Sequence, residues 1–100
     1  MSIVKEKKCF KGITAAMGML RCIDNENRLL IICRIISKGE QTVGELVEFS
    51  GLSPSALSQH LAVLRDGKIL KTRKLQQTVY YSLADGKVKE LIDVLHKLYC

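Results

Sequence analysis

The sequence predicts a mainly α fold carrying one β-hairpin, and three observations predict it. Apolar residues recur at helical spacing from Cys9 to Asp66 and again from Asp85 to Tyr99. Between them, from Ile69 to Leu83, the pattern alternates and becomes rich in β-formers. The apolar side chains, 47% of the chain, are mostly Leu, Ile, Val, Ala and Met, and only 5% of residues are aromatic. The predicted order is four helices, two strands and a final helix.

Each element follows from its own residues. The segment Cys9–Cys22 carries Phe10, Ile13, Met17 and Leu20 at helical spacing, which gives the first helix. Asp24 or Asn25 can cap a second helix over Glu26–Ser37, whose stripe is Leu29, Ile32, Cys33 and Ile36. Gly39, after Lys38, suits a left-handed stop. Thr42-Val43-Gly44-Glu45 is a capping-box pattern and opens a short third helix, with Val43, Leu46 and Val47 expected on a core. Ser50-Gly51-Leu52-Ser53 breaks that helix in a tight turn. Ser53 then caps a fourth helix, Pro54 takes its first position, and Gly67 ends it after Asp66. Beyond Gly67, Ile69, Lys71 and Arg73 alternate with Leu70 and Thr72 in a first strand. Thr78–Leu83 forms a second, with Lys74-Leu75-Gln76-Gln77 as the turn. Val88, Leu91, Ile92, Leu95 and Leu98 mark the last helix.

Size and charge bound the function. A chain of 100 residues suits one compact unit: residues 1–8 as a flexible basic arm and residues 9–100 as a single domain. Sixteen Lys and Arg against ten Asp and Glu leave a net charge of +6, which favours a polyanionic partner. Five of the basic residues (Arg65, Lys68, Lys71, Arg73, Lys74) lie within one short stretch that holds a single acid, Asp66. Apolar content this high in a small chain points to a subunit interface, hence a homodimer, although a well-filled core would use the same residues. The run Leu29–Cys33 is too short to span a bilayer, and Gly12–Leu20 lacks a cleavage pattern after it, so no membrane or export role is expected and the location is cytoplasmic. Structural disulfides are rare there. None of Cys9, Cys22, Cys33 and Cys100 forms a C-x-x-C pair, which removes the usual zinc-knuckle and thioredoxin signatures.

Two helices joined by a glycine-containing turn, the second followed by a basic hairpin, make a winged helix-turn-helix. In the fourth helix Leu57, Leu61 and Leu64 form a buried stripe, while Ser55, Ser58, Gln59, Ala62 and Arg65 take the other side. Short polar side chains suit close approach to a major groove, and glutamine can bond adenine at two points. Ser53 and Thr42, at helix starts, join this set of candidate DNA contacts, since helix N-termini offer amides to phosphate. His60 is open between a DNA contact and a filler of the helix flank. Lys71, Arg73, Lys74, Gln76 and Gln77 on the hairpin are candidates for backbone or minor-groove contact, which fixes register and makes binding salt-dependent. The bland alternative for each lysine is a solvated surface charge.

The run LSPSALSQHLAVLRDGKIL, followed by TRKLQQTVYYSL, resembles the ArsR/SmtB-type winged-helix repressors from about Cys9 to Cys100. The resemblance implies a dimer held by the first and last helices, reading a palindromic operator in double-stranded DNA. Metal sensors of that family carry thiols in an ELCVC-like motif; the matching stretch here, Glu45-Leu46-Val47-Glu48-Phe49, has no cysteine. Their other metal site needs His after Asp near the start of the last helix. Here Gly86 and Lys87 follow Asp85, and only His96 beside Asp93 remains near the end. No metal and no cofactor are therefore expected.

The surroundings of Cys33 and Cys100 are similar to those in the BigR/SqrR/HlyU branch of the family, which responds to persulfides and oxidants. The resemblance implies that the two reduced thiols permit DNA binding and that reactive sulfur species or oxidants bridge them and release DNA. From the residues alone, the favoured reading is Cys33 as a small core hydrophobe and Cys100 as a frayed terminus. Arg34, Lys97 or His96 could stabilise a thiolate, in a direction the sequence does not fix. Cys9 and Cys22, thirteen apart, do not share a helix face and read as spectators. Competing functions are a soft-metal or metalloid sensor on the thiols, an antirepressor with the same fold, and a small thiol oxidoreductase. The last lacks both C-x-x-C and a Cys-His-Asp set, so no enzyme is expected.

Overall fold

A computed structural model describes residues 11–100. The basic arm at residues 1–8, together with Cys9 and Phe10, lies outside the described residues. The elements are α1 (Ile13–Ile23), α2 (Glu26–Lys38), β1 (Gln41–Thr42), α3 (Val43–Ser50), α4 (Pro54–Asp66), β2 (Leu70–Leu75), β3 (Thr78–Leu83) and α5 (Gly86–Tyr99). This is the predicted winged helix-turn-helix with one short strand added.

The starts of α2, α3 and α4 are set by the predicted caps. Asn25 accepts from the Arg28 amide at 3.1 Å. Thr42 and Glu45 close both halves of the capping box: the Thr42 hydroxyl accepts from Glu45 N at 3.2 Å, and Glu45 accepts from Thr42 N at 2.8 Å. Ser53 accepts from Ala56 N at 3.1 Å, with Pro54 opening the helix. Asp85 caps α5 through the Lys87 amide. Gly39 and Gly51 take the positive φ that ends α2 and α3.

The core gathers one face from each helix. Ile23 of α1, Ile31, Ile32 and Ile35 of α2, Leu46 of α3, Leu57, Leu61 and Leu64 of α4, Ile69 and Leu70, and Val88 and Ile92 of α5 are buried together. The fourth-helix stripe is as expected. Other stripes are displaced. In α2 the fully buried residues are Ile31 and Ile32, while Leu29, Cys33 and Ile36 pack half-buried at its edge. Val43, expected on a core, is exposed because it sits in the first turn of α3 with the capping box beneath it. In α1 the stripe Ile13, Met17 and Leu20 faces outward, and Met19, Cys22 and Ile23 pack inward instead. Leu98 of α5 is 70% exposed.

The sheet has order β1-β3-β2, antiparallel throughout. Sequence alternation did not predict β1, because two residues are too few to alternate. The hairpin is tighter than predicted. Leu75 pairs with Thr78, so Lys74 and Leu75 belong to β2 and the turn is Gln76-Gln77 alone. Gln76 takes φ 56° there; tight hairpins usually signal themselves by Gly or Asn at such a position, and neither is present. Among the described residues no helix is long and apolar enough to cross a membrane.

Gly67 permits the closest approach in the fold. A Cβ on it would collide with the Cys22 sulfur of α1 and lie 3.3 Å from the Val63 carbonyl oxygen. Its φ is ordinary at −79°, and the left-handed residue is Lys68. Gly67→Ala should therefore lose about 1–3 kcal/mol through overpacking, against the gain of about 0.4–1 kcal/mol such a change gives at an open site. Urea unfolding of Gly67→Ala and of Gly67→Ala/Cys22→Ala checks the cause: the double variant should recover part of the loss.

Candidate nucleic-acid interface and thiol pair

The predicted DNA-contact residues fall on two exposed elements and their approaches. On α4, Ser55, Ser58, Gln59 and Arg65 are exposed opposite Leu57, Leu61 and Leu64, because the buried stripe turns them outward. Ser53 is exposed at the same helix's start, its oxygen already accepting from Ala56 N. Thr42 is half-buried, and its oxygen is likewise engaged by the α3 amide. Both hydroxyls keep a proton to donate. On the wing, Lys71, Arg73, Lys74, Gln76 and Gln77 are all exposed.

Two of these residues are committed inside the molecule. His60 is half-buried and its Nδ1 lies 3.5 Å from a guanidinium nitrogen of Arg28. Arg28 in turn donates from Nε to the Cys22 carbonyl at 2.6 Å and from a terminal nitrogen to the Arg21 carbonyl at 3.3 Å. It thereby satisfies carbonyls at the end of α1 that have no helical partner. A guanidinium is only a donor, so His60 Nδ1 can meet it only as acceptor, with the ring proton on Nε2. Arg73 is the second. Its Nε and a terminal nitrogen donate to the two carboxylate oxygens of Glu40 at 2.8 and 2.9 Å, and its guanidinium lies over the Tyr80 ring, 4.5 Å from the centroid. The Arg73 hydrogen bond holds the Glu40 carboxyl below its ordinary value. Arg28, Glu40 and Tyr80 carried no signal in the sequence, since their partners are 32, 33 and 7 positions away.

The two cysteines share one cleft. Cys33 and Cys100, 67 positions apart in sequence, line one cleft of about 380 Å³ with Leu29, Ile92, Leu95, His96 and Tyr99. Cys33 is half-buried on α2, and Cys100 is exposed at the end of α5. Burial pushes the Cys33 thiol up from its ordinary value, and the nearby Cys100 pushes it the same way. The cations suggested by the sequence do not reverse this. Arg34 is turned away, its guanidinium over the Phe49 ring at 4.8 Å. Cys22 stands apart, its thiol 4.0 Å from the Val63 carbonyl oxygen. Among the described residues no three His, Cys, Asp or Glu side chains are grouped to hold a metal ion.

Residues 25–72 match the pattern of bacterial regulatory proteins of the arsR family. The transcriptional activator HlyU of Vibrio cholerae serotype O1 is 47% identical over 90% of this chain and 82% of its own length. The chain belongs to the ArsR family. The biofilm growth-associated repressor of Xylella fastidiosa is 33% identical over 90% of this chain and 78% of its own. Reduced HlyU from Vibrio cholerae N16961 superposes on this ArsR-family chain with a TM-score of 0.86 at 44% identity, covering 95% of this chain and 99% of the other. The winged helix-turn-helix described above is thus that of a DNA-binding transcriptional regulator, not of an enzyme.

The raised Cys33 thiol has a measurable consequence. Its alkylation rate by iodoacetamide should climb with pH through a value above that of an ordinary thiol, because only the thiolate reacts. Cys100→Ser should move this profile downward without normalising it, since burial is the larger cause. The same shift makes Cys33 a small source of stability at neutral pH that is lost as pH rises through its folded-state pKa. A Cys33 profile at or below the ordinary thiol value would contradict the buried setting.

Proposed function

We propose that this ArsR-family regulator is a homodimeric, cytoplasmic repressor whose hold on a palindromic operator is released when Cys33 and Cys100 are bridged. The observation that carries the reading is the shared apolar cleft of the two cysteines, one on α2 and one at the end of α5. Residues 1–8 are then a basic arm, and the remainder is one unit for DNA binding and dimerisation. Palindromic recognition follows from two copies of α4 presented by a two-fold dimer.

The inducer class follows from the chemistry of two thiols. The exposed Cys100 thiolate attacks the sulfane sulfur of an organic persulfide, giving a protein persulfide and releasing the organic thiolate. The Cys33 thiolate then attacks the inner sulfur of that persulfide. A disulfide forms and hydrosulfide leaves, so atoms and electrons balance. A direct disulfide needs Cα atoms within about 7 Å, and retained sulfur atoms lengthen the reach. Bridging α2 to α5 alters the scaffold on which both reading heads are mounted. A sensor of a three-coordinate metalloid such as As(III) would need a third ligand from outside the described residues or from the partner copy.

Dimerisation is supported by the outward apolar faces of α1 and α5. Ile13, Met17 and Leu20 on the first, and Val94 and Leu98 on the second, are large apolar groups left exposed by the single chain, and apolar patches of this kind mark interaction surfaces. An antirepressor action is favoured by one observation only: a relative with the same fold is called a transcriptional activator. DNA binding that displaces another protein would give activation with unchanged contacts.

Three measurements test this reading. Leu98→Glu changes a side chain that the single chain leaves exposed, so it should yield folded monomers by sedimentation; an unchanged dimer would remove α5 from the interface. Gln59→Ala should weaken binding to a duplex selected by the wild-type protein by about 1–3 kcal/mol, with little effect on random DNA. Equal loss on both would reject Gln59 as a base reader. Finally, persulfide treatment should release the wild type from the selected duplex, and thiol reduction should restore binding. Cys33→Ser and Cys100→Ser should bind but resist release, while Cys9→Ser and Cys22→Ser still respond. Release of Cys33→Ser by persulfide would overturn the switch.

A further inference from the structure

Only the inner half of the wing is supported by other elements. β1 is two residues long, and its outermost pairing with the hairpin is Thr42 with Tyr80, which itself pairs with Arg73. Beyond this rung Lys74, Leu75, Gln76, Gln77, Thr78 and Val79 project with no third strand beside them. The outer hairpin therefore projects as a cantilever, and the rung Thr42–Tyr80–Arg73 is the last at which a third strand holds it. Thr42 is also the cap of α3, where the helix-turn-helix begins.

A diagonal contact braces that rung. Arg73 sits on β2, crosses above the Tyr80 ring on β3, and grips both oxygens of Glu40 in the segment leading into β1. The brace spans all three strands on the sheet face opposite Leu70, which is buried in the core. Ordinary exposed ion pairs contribute little, but a two-pronged guanidinium–carboxylate pair stacked on an aromatic ring fixes direction as well as distance.

We propose that Glu40, Arg73 and Tyr80 form a positioning clamp that presets the wing for DNA, so that Glu40 is needed for tight binding although it is an acid facing a polyanion. Arg73 then acts through Glu40 and Tyr80, and the groups that touch DNA on the wing are those beyond the clamp, Lys74, Gln76 and Gln77. A wing free to swing must be ordered on binding, and that ordering weakens affinity; a clamped wing is ordered beforehand. The proposal rests on the wing lying against DNA, a reading supported by the exposed Lys74, Gln76 and Gln77 at its tip.

Charge alone predicts the opposite sign. Removing the Glu40 carboxylate raises the net positive charge near the wing and frees Arg73 for phosphate, so binding should tighten and its salt dependence steepen. The test uses the full-length reduced protein and a duplex selected from a random-sequence pool by the wild type. Affinity is measured across a salt series, with hydroxyl-radical footprints. Under the clamp, Glu40→Gln weakens binding by about tenfold, within the range of coupled pairs, and leaves the salt slope unchanged. Arg73→Ala and Arg73→Lys do the same, because lysine keeps the charge but neither forks nor stacks. The double variant Glu40→Gln/Arg73→Ala is no weaker than either single. Protection of the outer flanks fades while the centre stays protected. Thermal unfolding of Glu40→Gln, an isosteric change at the surface, verifies that the chain is folded.

The clamp is overturned if Glu40→Gln binds as tightly as the wild type or tighter, or if Arg73→Ala lowers the salt slope by about one while Arg73→Lys does not. Lys74→Ala distinguishes this from failure of the wing reading itself. Loss of about one unit of slope with Lys74→Ala keeps the wing on DNA. No change with Lys74→Ala, and no flank protection in the wild type, removes the wing from the interface and the clamp's function with it.

Discussion

The fold depends on the burial of one face of α2. Ile31 and Ile32 are completely enclosed and Ile35 nearly so, and the helix that carries them touches α1, α3, α4 and β3. Each such side chain contributes about 1.5–3 kcal/mol by leaving water. Because this one helix is the common wall of the structure, its remaining surfaces inherit fixed positions. Its edge, with Leu29 and Cys33, is presented to α5. Its end, Lys38 followed by Gly39, delivers Glu40 to the wing and Thr42 to the start of the helix-turn-helix. The thiol cleft and the approach to the helix-turn-helix and wing are therefore both mounted on one helix.

Polar groups are arranged around this wall with few spare partners. Caps at Asn25, Thr42, Ser53 and Asp85 satisfy helix starts, and Arg28 satisfies carbonyls at the end of α1 while orienting His60. Arg34 is the exception: its Nε is buried without a hydrogen-bond partner, and its guanidinium rests on Phe49. Among the described residues two side-chain ion pairs form, Arg73 with Glu40 and Lys89 with Asp93. The second is an exposed pair one helical turn apart, worth about 0.3–0.5 kcal/mol. Most of the basic charge is thus left unpaired, and on the wing and α4 it supplies the field that a polyanion would meet.

Apolar surface is distributed unevenly in the same way. The four helices around α2 fill the core, yet α1 and α5 leave large side chains outside it, although both also have a buried face. In the proposed dimer the second copy covers these faces, and α5, which ends at Cys100, then takes part in both the thiol cleft and the subunit contact.

The sequence by itself determined the features that are local in the chain. Capping residues, the capping box at Thr42 and Glu45, Pro54 at a helix start, and the Leu57, Leu61, Leu64 stripe each act within a few positions, so their effect could be read directly. The exposed residues Ser55, Ser58, Gln59 and Arg65 followed from that stripe by helical geometry. Their family resemblance followed from the same continuous run. Tertiary structure alone decided everything that needs two distant segments at once. It turned the apolar stripe of α1 outward, because Met19, Cys22 and Ile23 pack on the core instead, with Cys22 against Gly67. It made β1, whose two residues have no pattern of their own and are ordered by β3. It drew His60 back to Arg28 and Arg73 across to Glu40, leaving two predicted contacts with internal partners. It also brought Cys33 and Cys100 to one cleft, since periodicity fixes which way a side chain faces along its own helix but not which helix arrives opposite.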